Sequence, residues 1–108
     1  MKYFIDTHDK AKGSFPEKVL TEQQFFDQFN ALEVAAEQFH VFGHAAHVNL
    51  KKGKAFCFMS GPDEESIRKA HAAIDLPYDS ITEVRRVTGA DMRPPRNDSK
   101  AKRKGGRS

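Results

Sequence analysis

The sequence has a single cysteine, no tryptophan and no long apolar run. Because Cys57 has no partner within the chain, a disulfide-stabilised fold and a cysteine-rich zinc module are both excluded. The apolar runs are far shorter than the ~20 residues that cross a bilayer, and Asp6 comes too early for a secretory signal peptide. We therefore expect a cytoplasmic protein with no membrane partner, in which any metal site depends on histidine.

The 108 residues suit one small domain, and their net charge of +3 is unevenly distributed. Residues 93–108 carry seven basic side chains and one acid, whereas residues 1–92 have a net charge of −3. The basic segment lacks Ile, Leu, Val and aromatic residues, so it cannot bury enough apolar surface to offset the entropy of ordering. We predict a folded domain over residues 1–90 and a disordered basic tail over 91–108, which would attract nucleic acid non-specifically.

Hydrophobic spacing predicts two helices and four strands. An apolar stripe at three- and four-residue spacing, introduced by a capping box of Thr21 and Gln24, predicts a first helix over 21–39. Pro62 is predicted at the first position of a second helix, followed by acidic residues that the helix dipole favours. Short runs rich in aromatic and β-branched residues predict strands over 2–7, 44–50, 54–60 and 80–87.

This order, strand–helix–strand–strand–helix–strand, is that of the α+β ferredoxin-like fold, a four-stranded antiparallel sheet with two helices on one face. The other face of such a sheet has no cover of its own. The third predicted strand is apolar on both sides, with Phe56 and Phe58 pointing one way and Cys57 the other. We therefore predict a homodimer of the dimeric α+β barrel type, in which a second copy covers the open side.

The stretch GKAFCFMSGPDEESIRKAH (residues 53–71), followed by LPYDSITEV (76–84), resembles the second half of a bacterial family of small ferredoxin-like proteins of unknown function, some of them nickel-binding. Residues 4–8, Phe-Ile-Asp-Thr-His, resemble that family's first strand. The resemblance implies a small protein that binds a transition metal ion of the nickel type or a small ligand. This chain departs from the family at Phe29, where many members have a helix histidine, and at His40, where they have glycine.

Imidazole and thiolate are the ligands that nickel and zinc prefer, so we predict a metal site of His8, Cys57 and His71. The first and third strands are neighbours in a ferredoxin-like sheet, and His71 lies on the inner face of the second helix. Asp6, on the same side of its strand as His8, and His47 are predicted to contact a small ligand. Each residue also has a structural alternative, namely a hydrogen-bonded core histidine, a buried free thiol or an imidazole at a dimer seam.

Two further histidines test the regularity of the predicted elements. His44 and His47 are three residues apart on one strand, so regular alternation would direct them to opposite faces. His40 is predicted to end the first helix in a left-handed conformation.

Two other functional classes stay open. Residues 52–59, KGKAFCFM, partly match the octamer of the RNA-recognition module, but Lys54 and Met59 stand where that octamer has aromatic rings. A dimeric α+β barrel enzyme, of the monooxygenase or isomerase type, would need one histidine as a base in an apolar cavity. Since no nucleophile or cofactor motif accompanies the histidines, we favour a binding protein over an enzyme.

Overall fold

The computed structural model describes residues 1–94, so most of the predicted tail lies outside the described residues. Its strands are β1 (Lys2–Asp9), β2 (Phe42–Asn49), β3 (Lys54–Gly61) and β4 (Ser80–Val84). Its helices are α1 (Glu22–Glu37), α2 (Glu64–Ala73) and the one-turn α3 (Gly89–Met92), and a 3-10 turn follows β1 at Lys10–Lys12. All neighbouring strands are antiparallel in the order β2-β3-β1-β4. The predicted ferredoxin-like α+β fold is confirmed.

Side-chain caps determine where the two long helices begin. Thr21 accepts a hydrogen bond from the Gln24 backbone N–H at 3.1 Å, and the Gln24 side chain accepts one from the Thr21 N–H at 2.9 Å. At α2 the Asp63 carboxylate accepts from the Ser66 N–H at 2.8 Å. Pro62 therefore precedes the cap and is not the first helical residue, because the Asp63 carboxylate caps the helix by accepting from the Ser66 N–H.

Strand pairing moves two of the predicted strand ends. β1 extends two residues beyond the predicted end, because His8 and Asp9 still pair with residues of β3. β4 stops at Val84 instead of Val87, since Val84 already pairs with Tyr3 near the start of β1. The longer β1 matters most, because it makes His8 a regular strand residue.

Alternation along the central strands gives the sheet two different faces. The covered face, beneath the helices, carries Phe4, Asp6 and His8 of β1 opposite alternate residues of β3, with Asp6 paired with Cys57. The open face carries Tyr3 and Phe56, which are 40% and 47% exposed. The helices pack on the covered face through a core of Phe4, Leu32, Ala36, Val41, Cys57, Met59, Ile67 and Ala70.

A β-bulge in β2 alters the direction of one histidine. The pairing of β2 with β3 shifts between Gly43 and Ala45, and the His44 Nε2 atom lies 2.7 Å from the Ser60 hydroxyl. His44 and His47 both border the open face. The prediction of opposite faces is therefore wrong, because the extra bulge residue breaks the alternation.

His40 takes a left-handed conformation with φ of 59° just after α1, as predicted. Across residues 1–94, no helix has both the length and the apolar character that crossing a membrane requires.

Candidate metal centre

Asp6 lies at the centre of a buried polar cluster between β1 and α2. Its Oδ2 atom is 2.9 Å from His8 Nε2 and 2.6 Å from His71 Nε2. The Asp6 and His71 side chains are fully buried, and His8 is 5% exposed. One carboxylate oxygen is thus shared by two imidazoles in the interior of a small domain.

Regular secondary structure brings these three side chains together. Asp6 and His8 are two residues apart on β1, so both point to the covered face. His71 is in the last turn of α2, on the same buried stripe as Ile67 and Ala70. Each histidine is therefore held by an element that packing already fixes.

Backbone carbonyls determine the orientation of both imidazoles. His8 Nδ1 lies 2.7 Å from the carbonyl oxygen of Pro77, and His71 Nδ1 lies 2.8 Å from that of Ile67. Because a carbonyl only accepts, each Nδ1 donates a hydrogen to it and the Nε2 atom of each ring faces Asp6. Metal-binding histidines are commonly held in this way, with the second ring nitrogen bonded to a carbonyl or carboxylate.

Both Nε2 contacts with Asp6 need a positive charge or a proton between the atoms. A neutral Nε2 and an ionised carboxylate are both acceptors, so distances of 2.6 and 2.9 Å would otherwise be repulsive. Burial acts to lower the pKa of His71, but the hydrogen bond and negative charge of Asp6 outweigh it and raise that pKa. Burial acts to raise the pKa of Asp6, and hydrogen bonds from His71 and His8 turn the net shift downward. The carboxylate therefore favours its ionised form, and it favours the protonated form of His71.

The second carboxylate oxygen and the cysteine complete the cluster. Asp6 Oδ1 is buried without a hydrogen-bond partner among the described residues, which is uncommon for a buried carboxylate oxygen. Asp6, His8 and Cys57 each offer a donor atom within 4.8 Å of the others. Burial, followed by the negative charge of Asp6, raises the pKa of the Cys57 thiol. The thiol is therefore neutral, and it is a poor nucleophile until something displaces its proton.

These donors suit a borderline divalent ion. A carboxylate oxygen, two imidazole nitrogens and one sulfur are the ligand types found around zinc and related first-row metals. Hard cations such as magnesium and calcium prefer oxygen ligands alone. The unpartnered Asp6 Oδ1 and the two convergent Nε2 atoms fit such an ion.

Four of the five residues singled out in the sequence lie together. His8 and Cys57 each offer a donor atom within 4.8 Å of one on Asp6, and His71 Nε2 contacts the same carboxylate, which was predicted only as a ligand contact. His47 lies apart from them, exposed on the open face of the edge strand β2.

Sequence reasoning missed the partners that orient the imidazoles. The carbonyls of Pro77 and Ile67 carry no residue-type signal, because any residue offers the same oxygen. The Tyr78 ring packs edge-on against His71 with centroids 5.2 Å apart. An aromatic residue directly after Leu76-Pro77 was a visible signal, but only the tertiary structure shows that its ring contacts His71.

The fold and the cluster together define a class: a ferredoxin-like protein with two histidines, a carboxylate and a thiol buried beneath its second helix. A family model described as "Nickel responsive protein SCO4226-like" matches residues 4–84, most of the chain. The chain belongs to this SCO4226-like family, which confirms the family resemblance predicted from its motifs.

One solved structure is similar to the chain. The crystal structure of SCO4226 from Streptomyces coelicolor A3(2) matches with a TM-score of 0.68 and 22% sequence identity, over 80% of this chain and 99% of that chain. At this identity the likeness establishes the fold alone. No curated protein is similar enough to the chain to count as a relative.

Proposed function

We propose that this protein binds a divalent transition metal ion of the nickel type through Asp6, His8, Cys57 and His71. The observation that carries the proposal is the convergence of two imidazoles, each fixed through Nδ1, on one buried carboxylate. The family description "nickel responsive" favours nickel, and zinc is the alternative that the same donors suit.

Binding would be an exchange of protons for metal. Without the ion, a proton lies between His71 Nε2 and Asp6, and another keeps the Cys57 sulfur neutral. The ion would displace these protons, and the resulting carboxylate and thiolate would balance its two positive charges. This balance matters because an uncompensated charge in the interior is costly.

Calorimetric titration with Ni²⁺, Zn²⁺ and Cu²⁺ at neutral and mildly acidic pH tests the proposal. We expect micromolar or tighter binding that weakens on acidification, because protons compete for the same donors. His71→Ala should weaken binding by about a hundredfold. His47→Ala removes an exposed histidine and serves as the matched control. Equal affinities in the two variants would assign the cluster to packing alone.

We further propose that a second copy of the chain covers the open face. Tyr3 stacks on Phe58 with centroids 5.5 Å apart, and Phe56 is 47% exposed beside them. Apolar side chains in such a group favour association. The folded domain would span residues 1–90, in a reducing cytoplasm that suits a free thiol. Light scattering that finds a monomer at tens of micromolar would contradict the dimer.

The basic tail, residues 91–108, supplies a separate expectation. Its charge predicts a salt-sensitive, sequence-independent attraction to nucleic acid. Binding to duplex DNA should fall steeply with added salt and disappear when residues 93–108 are deleted. Binding that survives the deletion would locate the attraction on the folded domain.

A further inference from the structure

A small cavity lies between the first half of α1 and the covered face of the sheet. It has a volume of about 30 Å³ and is bordered by the loop at Ser14–Pro16. At roughly 10–15 Å³ for each water centre, it has room for about two water molecules. The floor of the cavity includes His8 and Cys57, two members of the metal cluster.

The cavity reaches the cluster from one side only. Asp6 and His71 do not border it, whereas His8 and Cys57 do. His71 comes from α2, so an ion held by all four residues would have protein donors from β1, β3 and α2. The side that faces α1 offers a single polar group, the Gln28 side-chain amide, because the other α1 residues bordering the cavity are Phe25, Phe29 and Leu32.

The lining of the cavity restricts what can enter it. Most of the wall is apolar, formed by Phe15, Phe25, Phe29, Leu32, Ala55 and Leu76. Gln28 adds one side-chain amide, and the Ser14 hydroxyl is already bonded to the backbone of Asp9. A water molecule in such a space finds few hydrogen-bond partners. A metal ion held by His8 and Cys57 would therefore be the main group that binds it.

We infer that this cavity is the exchangeable ligand position of the bound metal, open to small neutral or singly charged donors of two or three atoms. The inference rests on the proposed function, because it needs an ion held by His8 and Cys57. Because four protein donors already hold the ion, this position is the fifth around it; the centre is thereby an open site that exchanges ligands, unlike a structural site whose four positions are all filled by protein. Larger or multiply charged donors are excluded by the 30 Å³ volume and the apolar wall.

Azide binding to the Co²⁺-loaded full-length protein tests the inference. Co²⁺ is titrated first without azide, which measures metal binding separately, and azide is then followed through the visible absorption of the bound Co²⁺. We expect a saturable change in the spectrum. Ala55→Val adds two methyl groups to the cavity wall and should weaken azide binding by about tenfold or more, while Co²⁺ affinity stays near the wild-type value.

Two further variants provide the controls. Ala45→Val makes the same change on the exposed open face and should respond to azide as the wild type does. Leu76→Ala enlarges the cavity instead of filling it, and should admit imidazole, which the wild-type cavity is too small to hold. This variant keeps the inference testable if Ala55→Val folds poorly.

The outcomes separate the two proposals. If Co²⁺ binds tightly and azide leaves the wild-type spectrum unchanged, the open position is wrong while metal binding stands. Equal azide affinities in wild type and a folded Ala55→Val also overturn the open position. If Co²⁺ does not bind at all, the proposed metal site fails, and the open position fails with it.

Discussion

The covered and open faces of this sheet each carry side chains that depart from the usual distribution of polar and apolar groups. On the covered face, β1 buries a carboxylate and an imidazole, Asp6 and His8. On the open face, the same strand exposes Tyr3, which stacks on Phe58 of β3. A buried polar cluster and an exposed aromatic group are both informative exceptions to ordinary burial. Each is the basis of one of the proposals above, an ion for the covered face and a second copy for the open one.

The two faces also differ in how much free energy is lost when one side chain is removed. On the covered face, losing the partner of a hydrogen-bonded group would leave that group buried and unpaired, which is costly. On the open face, the aromatic side chains can lose a neighbour without leaving a charge unpaired. Substitutions should therefore act on the two faces independently and with different magnitudes.

The largest effect is expected from removing the shared carboxylate. Asp6→Asn leaves His8 and His71 without their counter-charge, and should lower the free energy of unfolding of the metal-free protein by about 3 kcal/mol. Asp79→Asn removes a carboxylate that forms an exposed ion pair with Lys12. It should change the free energy of unfolding by less than about 0.5 kcal/mol. Urea unfolding measures both. Similar losses in the two variants would contradict a central role for Asp6.

Metal loading should produce the next largest effect. Ni²⁺ at about a hundred times its dissociation constant should raise the free energy of unfolding by about 2.7 kcal/mol, because it binds the folded state. EDTA should reverse the gain, and His71→Ala should lack it. The opposite result, an equal gain in His71→Ala, would place the ion elsewhere on the chain.

A change on the open face should act on association alone. Phe58→Ser should weaken the proposed dimer by about 2 kcal/mol, as loss of a central aromatic contact does, and leave Ni²⁺ affinity unchanged. Val34→Ser removes an apolar side chain that is 75% exposed on α1 and is the matched control. Sedimentation gives the assembly and calorimetry the affinity. A fall in Ni²⁺ affinity with Phe58→Ser would show that the faces are coupled.

The smallest effect is expected when pH is changed. The pH dependence of stability should arise from the titratable groups of the covered face. Because folding raises the pKa of His71, this group stabilises the folded protein fully at pH values below its unfolded-state pKa near 6.5. The stabilisation is lost as pH rises through its folded-state pKa. Because folding lowers the pKa of Asp6, this group stabilises the folded protein fully at pH values above its unfolded-state pKa near 3.8. The stabilisation is lost as pH falls through its folded-state pKa. Metal-free protein should thus be most stable between these two unfolded values. His71→Ala should remove the loss on the alkaline side, and an unchanged profile in that variant would contradict the assignment.

Local patterns were sufficient to predict most of the fold. The capping box at Thr21 and Gln24 and the apolar stripe behind it determine α1 almost entirely within the local sequence. Alternation also puts Cys57 on the side of its strand opposite Phe56 and Phe58, although it leaves open which of the two sides faces the helices. Such features are local, so one sequence can reveal them.

Long-range features could not be predicted in the same way. The bulge at His44 depends on the pairing of β2 with β3, and the full length of β1 depends on pairing with residues near Lys54. Asp6 was predicted as a ligand contact two residues from His8, but its contact with His71 spans 65 residues of sequence. No local pattern indicates that one carboxylate oxygen serves both imidazoles.

The absorption spectrum of the Co²⁺-loaded protein, compared with that of Cys57→Ser, tests the proposed centre most directly. Only a thiolate bound to the ion gives a sulfur-to-cobalt charge-transfer band, and the buried Cys57 thiol stays protonated unless a metal displaces its proton. We expect the band in the wild-type protein and its loss in Cys57→Ser, with Co²⁺ still bound through the imidazoles and the carboxylate. A wild-type protein that binds Co²⁺ without the band, or a variant that keeps it, would contradict a centre built on the covered face.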